Sequence, residues 1–334
     1  MFKSQDIAID LGTASILVYT KEKGIIINEP SVVAVESSTG KLVEAGQKAH
    51  DMLGRNPDNI TVIRPLMKGV ISDFDSTMIM VKQILSRACK WSFFKPRVIV
   101  CIPCVVTEVE KKAVIDAMIG AGARSAHLIE EPIAAAIGAG LDISKPEGNL
   151  VIDIGGGTTD IAVISLGSMV VHTSLKVAGD DFDQDIIRHV RKNHNIVIGE
   201  RMAEQIKKEI GCVYPTGDQT YMRVKGRSLV SGLPVELLVS SDEMLVALKE
   251  TADAIVAGVK DILEHTPPEL IGDIGHNGAI LTGGGSMIKG LDKLLSMETG
   301  LDVKIADDPV SCVVMGTGKA LSEMKTIQKT SRRY

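Results

Sequence analysis

The stretch Asp153-Ile154-Gly155-Gly156-Gly157-Thr158-Thr159-Asp160 constrains this chain most. The apolar run Leu150-Val151-Ile152 precedes it, and a second apolar run, Ile161-Ala162-Val163-Ile164, follows. It reads as a buried strand that delivers a carboxylate to a glycine turn and then reverses into a second strand. Three successive glycines let backbone N–H groups approach an anion with no Cβ in the way. Asp153 repels a phosphate but holds a divalent cation that bridges to one. The pattern recurs at Ile7-Ala8-Ile9-Asp10-Leu11-Gly12-Thr13, followed by Ile16-Leu17-Val18-Tyr19. A strand-turn-strand unit used twice predicts two similar domains facing each other across a cleft. A third glycine turn, Thr282-Gly283-Gly284-Gly285-Ser286, follows another strand. One glycine turn alone is weak evidence and fits an ordinary hairpin. Two that begin at a strand-end aspartate are much harder to treat as punctuation.

Strands and helices alternate along the chain, which predicts an α/β fold. Helices are expected at Ser76–Cys89, Glu108–Gly120, Pro132–Gly138, Asp181–His194, Glu200–Ile210, Asp242–His265, Met287–Glu298 and Val310–Glu323. Thr107 with Glu110 and Ser240 with Glu243 have the spacing of capping boxes. Pro146-Glu147-Gly148-Asn149 is the best domain boundary. A chain of 334 residues, 45% apolar and 24% charged, is long enough for two globular domains. Its net charge of −5 argues against a nucleic-acid partner. The first residues lead straight into a strand, so no signal peptide is expected. The longest apolar run, Val98 to Val106, falls far short of the ~20 residues of a spanning helix. A cytoplasmic protein is the expectation. Cys101-Ile102-Pro103-Cys104 has redox-motif spacing, but Cys101 ends a strand instead of opening a helix, so an inert structural role is expected.

The ordered series Asp10-Leu11-Gly12-Thr13, Glu130-Glu131-Pro132, Asp153 to Asp160, Gly179-Asp180-Asp181-Phe182-Asp183 and Thr282 to Ser286 resembles the actin, Hsp70 and sugar-kinase superfamily. Within it the chain is most similar to the MreB family of bacterial actins. Asn28-Glu29-Pro30-Ser31-Val32-Val33-Ala34, Arg64-Pro65-Leu66, Gly69-Val70-Ile71 and Ile198-Gly199-Glu200-Arg201 carry the likeness beyond the glycine turns. It runs from about Asp6 to about Leu321. The resemblance implies an actin-like (ribonuclease H-like) duplicated fold, two large domains around a nucleotide cleft, each with a small subdomain. Subdomain IA would hold residues 1–32, 66–145 and 314–334, with IB at 33–65. Subdomain IIA would hold 146–180 and 243–313, with IIB at 181–242.

The resemblance also implies ATP and Mg²⁺. Asp10 and Asp153 would hold the metal. Gly12, Thr13, Ala14, Gly155, Gly156, Gly157, Thr158, Gly179 and Asp180 would surround the phosphates. Glu204, Lys207, Lys208 and Gly283, Gly284, Gly285 would enclose base and ribose, although Glu204 and Lys208 also suit a solvated i,i+4 pair. Glu131, with Thr158 and Asp153, would position the attacking water. On its own residues, Glu131 reads better as a helix-start charge favoured by the dipole. Two positions depart from the relatives: Ser15 stands where MreB proteins usually have asparagine, and Leu17 where actins have a phosphate-contacting lysine. The implied function is a slow ATPase that polymerises into membrane-associated filaments, organises cell shape and wall synthesis, and works with morphogenetic membrane proteins. A small-molecule kinase of the same superfamily would need polar substrate residues in the second cleft, and no convincing set is visible. An Hsp70-like chaperone would need a substrate domain after Tyr334.

Only 3% of residues are aromatic, yet Trp91, Phe93 and Phe94 cluster beside Lys90, Lys95 and Arg97. Aromatics interleaved with cations suit an anionic lipid surface. They also suit an apolar loop folded onto the preceding helix. Membrane contact at the inner face of the cell membrane is the expectation.

Overall fold

A computed structural model describes residues 6–89, 95–215 and 217–331, with side chains of the last helix described as far as Leu321. Two five-stranded mixed sheets dominate it, and they share one topology. The first runs Ser125–Glu130, Arg97–Ile102, Asp6–Leu11, Ser15–Thr20, Gly24–Pro30. The second runs Val303–Ile305, Ala279–Thr282, Asn149–Ile154, Thr159–Ser165, Ser168–Leu175. In each, the central strand pairs antiparallel with the next strand in sequence and parallel with a strand reached through helices. The central strands are buried on both faces, which explains their nearly continuous apolar runs. Asp10 and Asp153 are each the fifth residue of a six-residue central strand. The sequence repeat is therefore a repeat of position within the sheet.

Two three-stranded antiparallel sheets are attached. Leu42–Ala45, Val33–Glu36 and Ile60–Ile63 form one; Ile196–Val197, Tyr221–Ser228 and Pro234–Ser240 form the other. The largest core cluster surrounds Phe182, Ile186, Ile152, Ile161 and Ile255, joining the second large sheet to the helices beside the second small one.

The helix Glu131–Gly138 joins the halves. Ala134, Ala135 and Ala136 are fully buried against Val151, Ala162, Ile164 and Val313. The helix Cys312–Ser331 crosses it closely: a Cβ on Gly138 would overlap the carbonyl of Cys312, and one on Gly316 the carbonyl of Ala134. Small residues permit this approach, and it holds Glu131 at the seam between the lobes.

Several elements differ from expectation. The stretch Asp242–His265 is two helices, Ser241–Ala247 and Lys249–His265, with a bend at the buried Leu248. Hydrogen bonds continue through the bend, from Leu248 to Met244 and from Ala252 to Leu248. The stretch Met287–Glu298 is a 3₁₀ turn, Gly284–Met287, then a helix, Leu291–Thr299. Gly290 separates them at φ +84°, where a Cβ would lie 2.6 Å from that of Tyr214. A helix at Pro268–Asn277 went unforeseen, although Pro268 stands at its first turn, a recognisable start signal. Thr107 and Glu110 form the full capping box. Ser240 accepts the Glu243 N–H, but the Glu243 carboxylate turns away to His194, so that box is only half formed. Among the described residues no helix is long and apolar enough to cross a membrane. Trp91, Phe93 and Phe94 lie outside the described residues.

Candidate functional site between two matched lobes

The two glycine turns face each other. A Cβ on Gly156 would come 2.6 Å from that of Ala14, and one on Gly157 2.5 Å from Thr13 Oγ1. Glycine is needed because the opposing turn occupies the space a side chain would take. Each turn is closed by its own hydrogen bonds. Gly12 N–H donates to Ser15 O (3.1 Å) and Gly155 N–H to Thr158 O (2.9 Å). Ser31 Oγ holds the Gly12 carbonyl at 2.6 Å. The helix Gly179–His194 begins against the second turn, where Gly179 N–H donates to Gly155 O (3.1 Å) and Asp180 N–H to Gly156 O (2.8 Å). The Gly283–Gly285 turn packs beneath it: a Cβ on Gly285 would lie 2.5 Å from Ile154 Cγ2 and 3.0 Å from Gly155 O.

The strand-end aspartates have matching partners. Thr282 Oγ1 donates to Asp153 Oδ1 at 2.6 Å, from the parallel neighbour strand. On the other lobe the parallel neighbour places Cys101 one step beyond the Ile9–Val100 pair, and its Sγ lies 3.2 Å from Asp10 Oδ1. Cys101 thus plays for Asp10 the part Thr282 plays for Asp153. Cys104 crosses the cleft, its N–H donating to Asp160 Oδ1 at 2.7 Å. Burial and the neighbouring acids push both thiols well up, so the Cys-x-x-Cys spacing reflects wall-building and gives no reactive thiolate.

Four carboxylates share this site: Asp10, Glu131, Asp153 and Asp160. Burial raises Asp10 to about 6 and Asp153 to about 7. Glu131 is pushed well above the usual range, first by burial, then by Asp160, Asp10 and Asp153. Lys176 is the opposing cation, and its Nζ donates to the Lys68 carbonyl at 2.7 Å. Asp160 Oδ2 is buried without a hydrogen-bond partner. Four acids crowded together and pushed toward their neutral form fit a divalent cation, which would favour the ionised form again. Asp10 and Asp153, one from each lobe, are the residues that would hold such an ion.

Two lysines absent from the sequence reading bridge the cleft. Lys68 Nζ pairs with both oxygens of Asp181 at 2.6 Å, and Asp181 also accepts the Ala178 N–H at 2.8 Å. Gly69 N–H donates to Thr13 Oγ1 at 3.0 Å. The segment around Lys68 therefore ties a turn of one lobe to the helix start of the other. No local motif marks Lys68; its φ of +48° and its partners arise only from the tertiary arrangement. Nearer the rim, Arg64 pairs with Glu200 at 3.2 Å and Arg201 with Asp51 at 3.5 Å.

The expected base-side residues divide. Lys207 Nζ reaches the Gly179 carbonyl at 2.8 Å and Asp183 at 2.9 Å, fixing the helix Glu200–Ile210 to the phosphate-side turn. Glu204 and Lys208 pair with each other at 2.6 Å on the more exposed face. The end of the same helix meets Lys289, whose Nζ donates to the Glu209 carbonyl at 2.6 Å and whose own carbonyl accepts the Val213 N–H at 3.0 Å.

A duplicated ribonuclease H-like pair of lobes, with an aspartate and a glycine turn from each meeting across one cleft, defines an actin-like protein. Residues 4–329 match the model of the MreB/Mbl protein family. The cell shape-determining protein Mbl of Bacillus cereus is 46% identical over 331 residues, covering 99% of each chain. The cell shape-determining protein MreB of Escherichia coli is 48% identical over 324 residues, covering 95% of this chain and 93% of that one. Crystal structures of MreB5 of Spiroplasma citri superpose with TM-scores of 0.93 bound to ADP and 0.94 bound to AMPPNP, at 40% and 39% identity and 99% of this chain. They cover 99% and 100% of those chains respectively. The chain belongs to the MreB/Mbl family.

Proposed function

We propose that this protein is a cytoskeletal ATPase that assembles with ATP into filaments on the inner face of the cytoplasmic membrane and organises cell shape and wall synthesis. The observation that carries the reading is the matched pair of lobes, each presenting an aspartate and a glycine turn to one cleft. The nucleotide-bound MreB5 structures and the cell-shape relatives support it.

Gly12, Thr13 and Ala14 face Gly155, Gly156, Gly157 and Thr158 around the β- and γ-phosphates, with Gly179 and Asp180 closing the lower side. Glu204, Lys207, Lys208 and the Gly283–Gly285 turn enclose base and ribose. Asp10 and Asp153 would hold Mg²⁺, which offsets phosphate charge and favours in-line displacement when bound. Glu131, at the seam between the lobes, orients the attacking water, with Thr158 beside it. Hydrolysis is slow and coupled to assembly, because Glu131 is the general-base candidate and its buried carboxyl is held toward the protonated form. The four subdomains follow the limits given above, each small sheet forming one lobe's outer unit. The partners are a second copy of the chain, in paired protofilaments, and an anionic lipid surface reached through Trp91, Phe93 and Phe94. Morphogenetic membrane proteins and the wall-synthesis machinery complete the set.

Sedimentation with Mg·ATP in the presence and absence of anionic liposomes tests this. Filaments that pellet with nucleotide and float with lipid are expected. A monomer that consumes ATP only with a small-molecule acceptor would refute the proposal.

A further inference from the structure

The helix Gly179–His194 starts at the phosphate turn and ends at Asn195 in a left-handed conformation. His189 and His194 stand in its last turns, with ring centroids 6.4 Å apart. Glu243 approaches them from the first turn of the helix Ser241–Ala247. Its sequence position offers a capping box, in which the carboxylate would return to the Ser240 N–H. Instead Oε2 lies 2.8 Å from His194 Nε2 and 3.7 Å from His189 Nε2. One carboxylate oxygen thus faces two imidazole nitrogens.

Each of the three residues presents a ligating atom, and all three atoms fall within 4.8 Å of one another. Among the described residues no other trio of His, Cys, Asp or Glu does so. Tetrahedral bonds of about 2.0–2.2 Å keep ligating atoms about 3.3–3.5 Å apart, and the two observed separations straddle that spacing. The Asn193 side-chain nitrogen lies 3.0 Å from His189 Nε2 and 3.2 Å from Nδ1, so it has to swing aside for Nε2 to ligate. The trio opens on a pocket of about 400 Å³ shared with Asn193, Asp242 and Val246. Asp242 Oδ2 accepts from the Gln219 amide at 2.8 Å.

We propose that His189, His194 and Glu243 form a binding site for a zinc-class divalent metal, with three protein ligands and an open fourth position. The metal-free alternative is one carboxylate oxygen accepting from both imidazoles, and the titration below separates the two. Two imidazoles and one carboxylate suit zinc, whereas Mg²⁺ prefers oxygen ligands. A bound ion would pin the far end of the helix whose near end carries Gly179 and Asp180.

The test is calorimetric titration of the tag-free, metal-stripped, nucleotide-free full chain with zinc chloride. One equivalent should bind, and millimolar Mg²⁺ should not displace it. His194→Ala and Glu243→Gln should each weaken binding by at least about tenfold. X-ray absorption of the zinc-loaded wild-type protein, which needs no variant to fold, should show a nitrogen and oxygen shell with imidazole scattering. Absence of saturable binding, unchanged affinity in a folded His189→Ala/His194→Ala variant, or sulfur in the zinc shell would overturn the proposal.

Discussion

Asp153→Asn isolates what the buried carboxylate does. Asparagine keeps the shape and an oxygen that accepts the Thr282 hydroxyl, now 2.6 Å from Oδ1, while removing the charge. In the empty cleft burial raises Asp153 from 3.8 to about 7. A raised carboxylate favours the protonated folded state, so its contribution to stability falls as pH rises from about 4 to about 7 and is then constant. The difference of about 3 units corresponds to at most about 4 kcal/mol of destabilisation near pH 8. Near pH 5.5 the folded carboxyl is protonated but the unfolded one is ionised, leaving about 2 kcal/mol. With an unfolding entropy of about 0.7 kcal/mol/K for a chain of this length, the variant should melt up to about 6 °C higher near pH 8. That advantage should roughly halve near pH 5.5. Saturating Mg·AMPPNP should cut the variant's advantage near pH 8 to about 1 kcal/mol, because the wild type gains about 3 kcal/mol at a hundredfold excess over Kd and the variant gains little. Thermal melts at both pH values, with and without nucleotide, read all of this. A variant that melts lower than wild type when empty near pH 8 would refute the account of burial. An equal nucleotide-induced gain in both proteins would remove Asp153 from the metal site.

Glu131→Ala should retain nucleotide binding but release phosphate about 10²–10⁴-fold more slowly; undiminished release would take Glu131 out of the mechanism. Gly156→Val should lose nucleotide binding while keeping a native circular dichroism spectrum, because its side chain enters the space beside Ala14; normal affinity would show that the turns separate freely. Lys68→Ala should remove the cross-lobe pair with Asp181, and small-angle scattering of the nucleotide-free protein should show a wider cleft; an unchanged profile would assign closure to other contacts. Replacing Trp91, Phe93 and Phe94 with serine should abolish flotation with anionic liposomes and leave ATP turnover in solution unchanged; persistent flotation would return these aromatics to the core.

The repeated strand, aspartate and glycine turn was legible in the chain because each part is local. A buried strand needs an apolar run, and a turn that meets another backbone needs glycine. From these alone came the α/β class, the two facing lobes, and Asp10 and Asp153 as counterparts. The helix Glu200–Ile210 and the capping box at Thr107 were equally readable, since their signals lie within a few residues. Glu243 shows the limit of such reading. Its capping position predicted a return to Ser240, but two histidines from another helix compete for the same carboxylate.

What the sequence left open depends on register between distant strands. Cys101 is a partner of Asp10 only because a parallel strand sets it one step past Val100, as Thr282 is set beside Asp153. Lys68 acquires its role only when the lobes close and Asp181 comes within reach. Glu131 could be read as an ordinary helix-start charge until the packing of Ala134, Ala135 and Ala136 against both lobes put it beside Asp10, Asp153 and Asp160. Local rules determined which residues form each half of the clamp. The tertiary structure decided how the halves meet, because charge, burial and distance across a cleft are properties of neighbours that the chain order does not record.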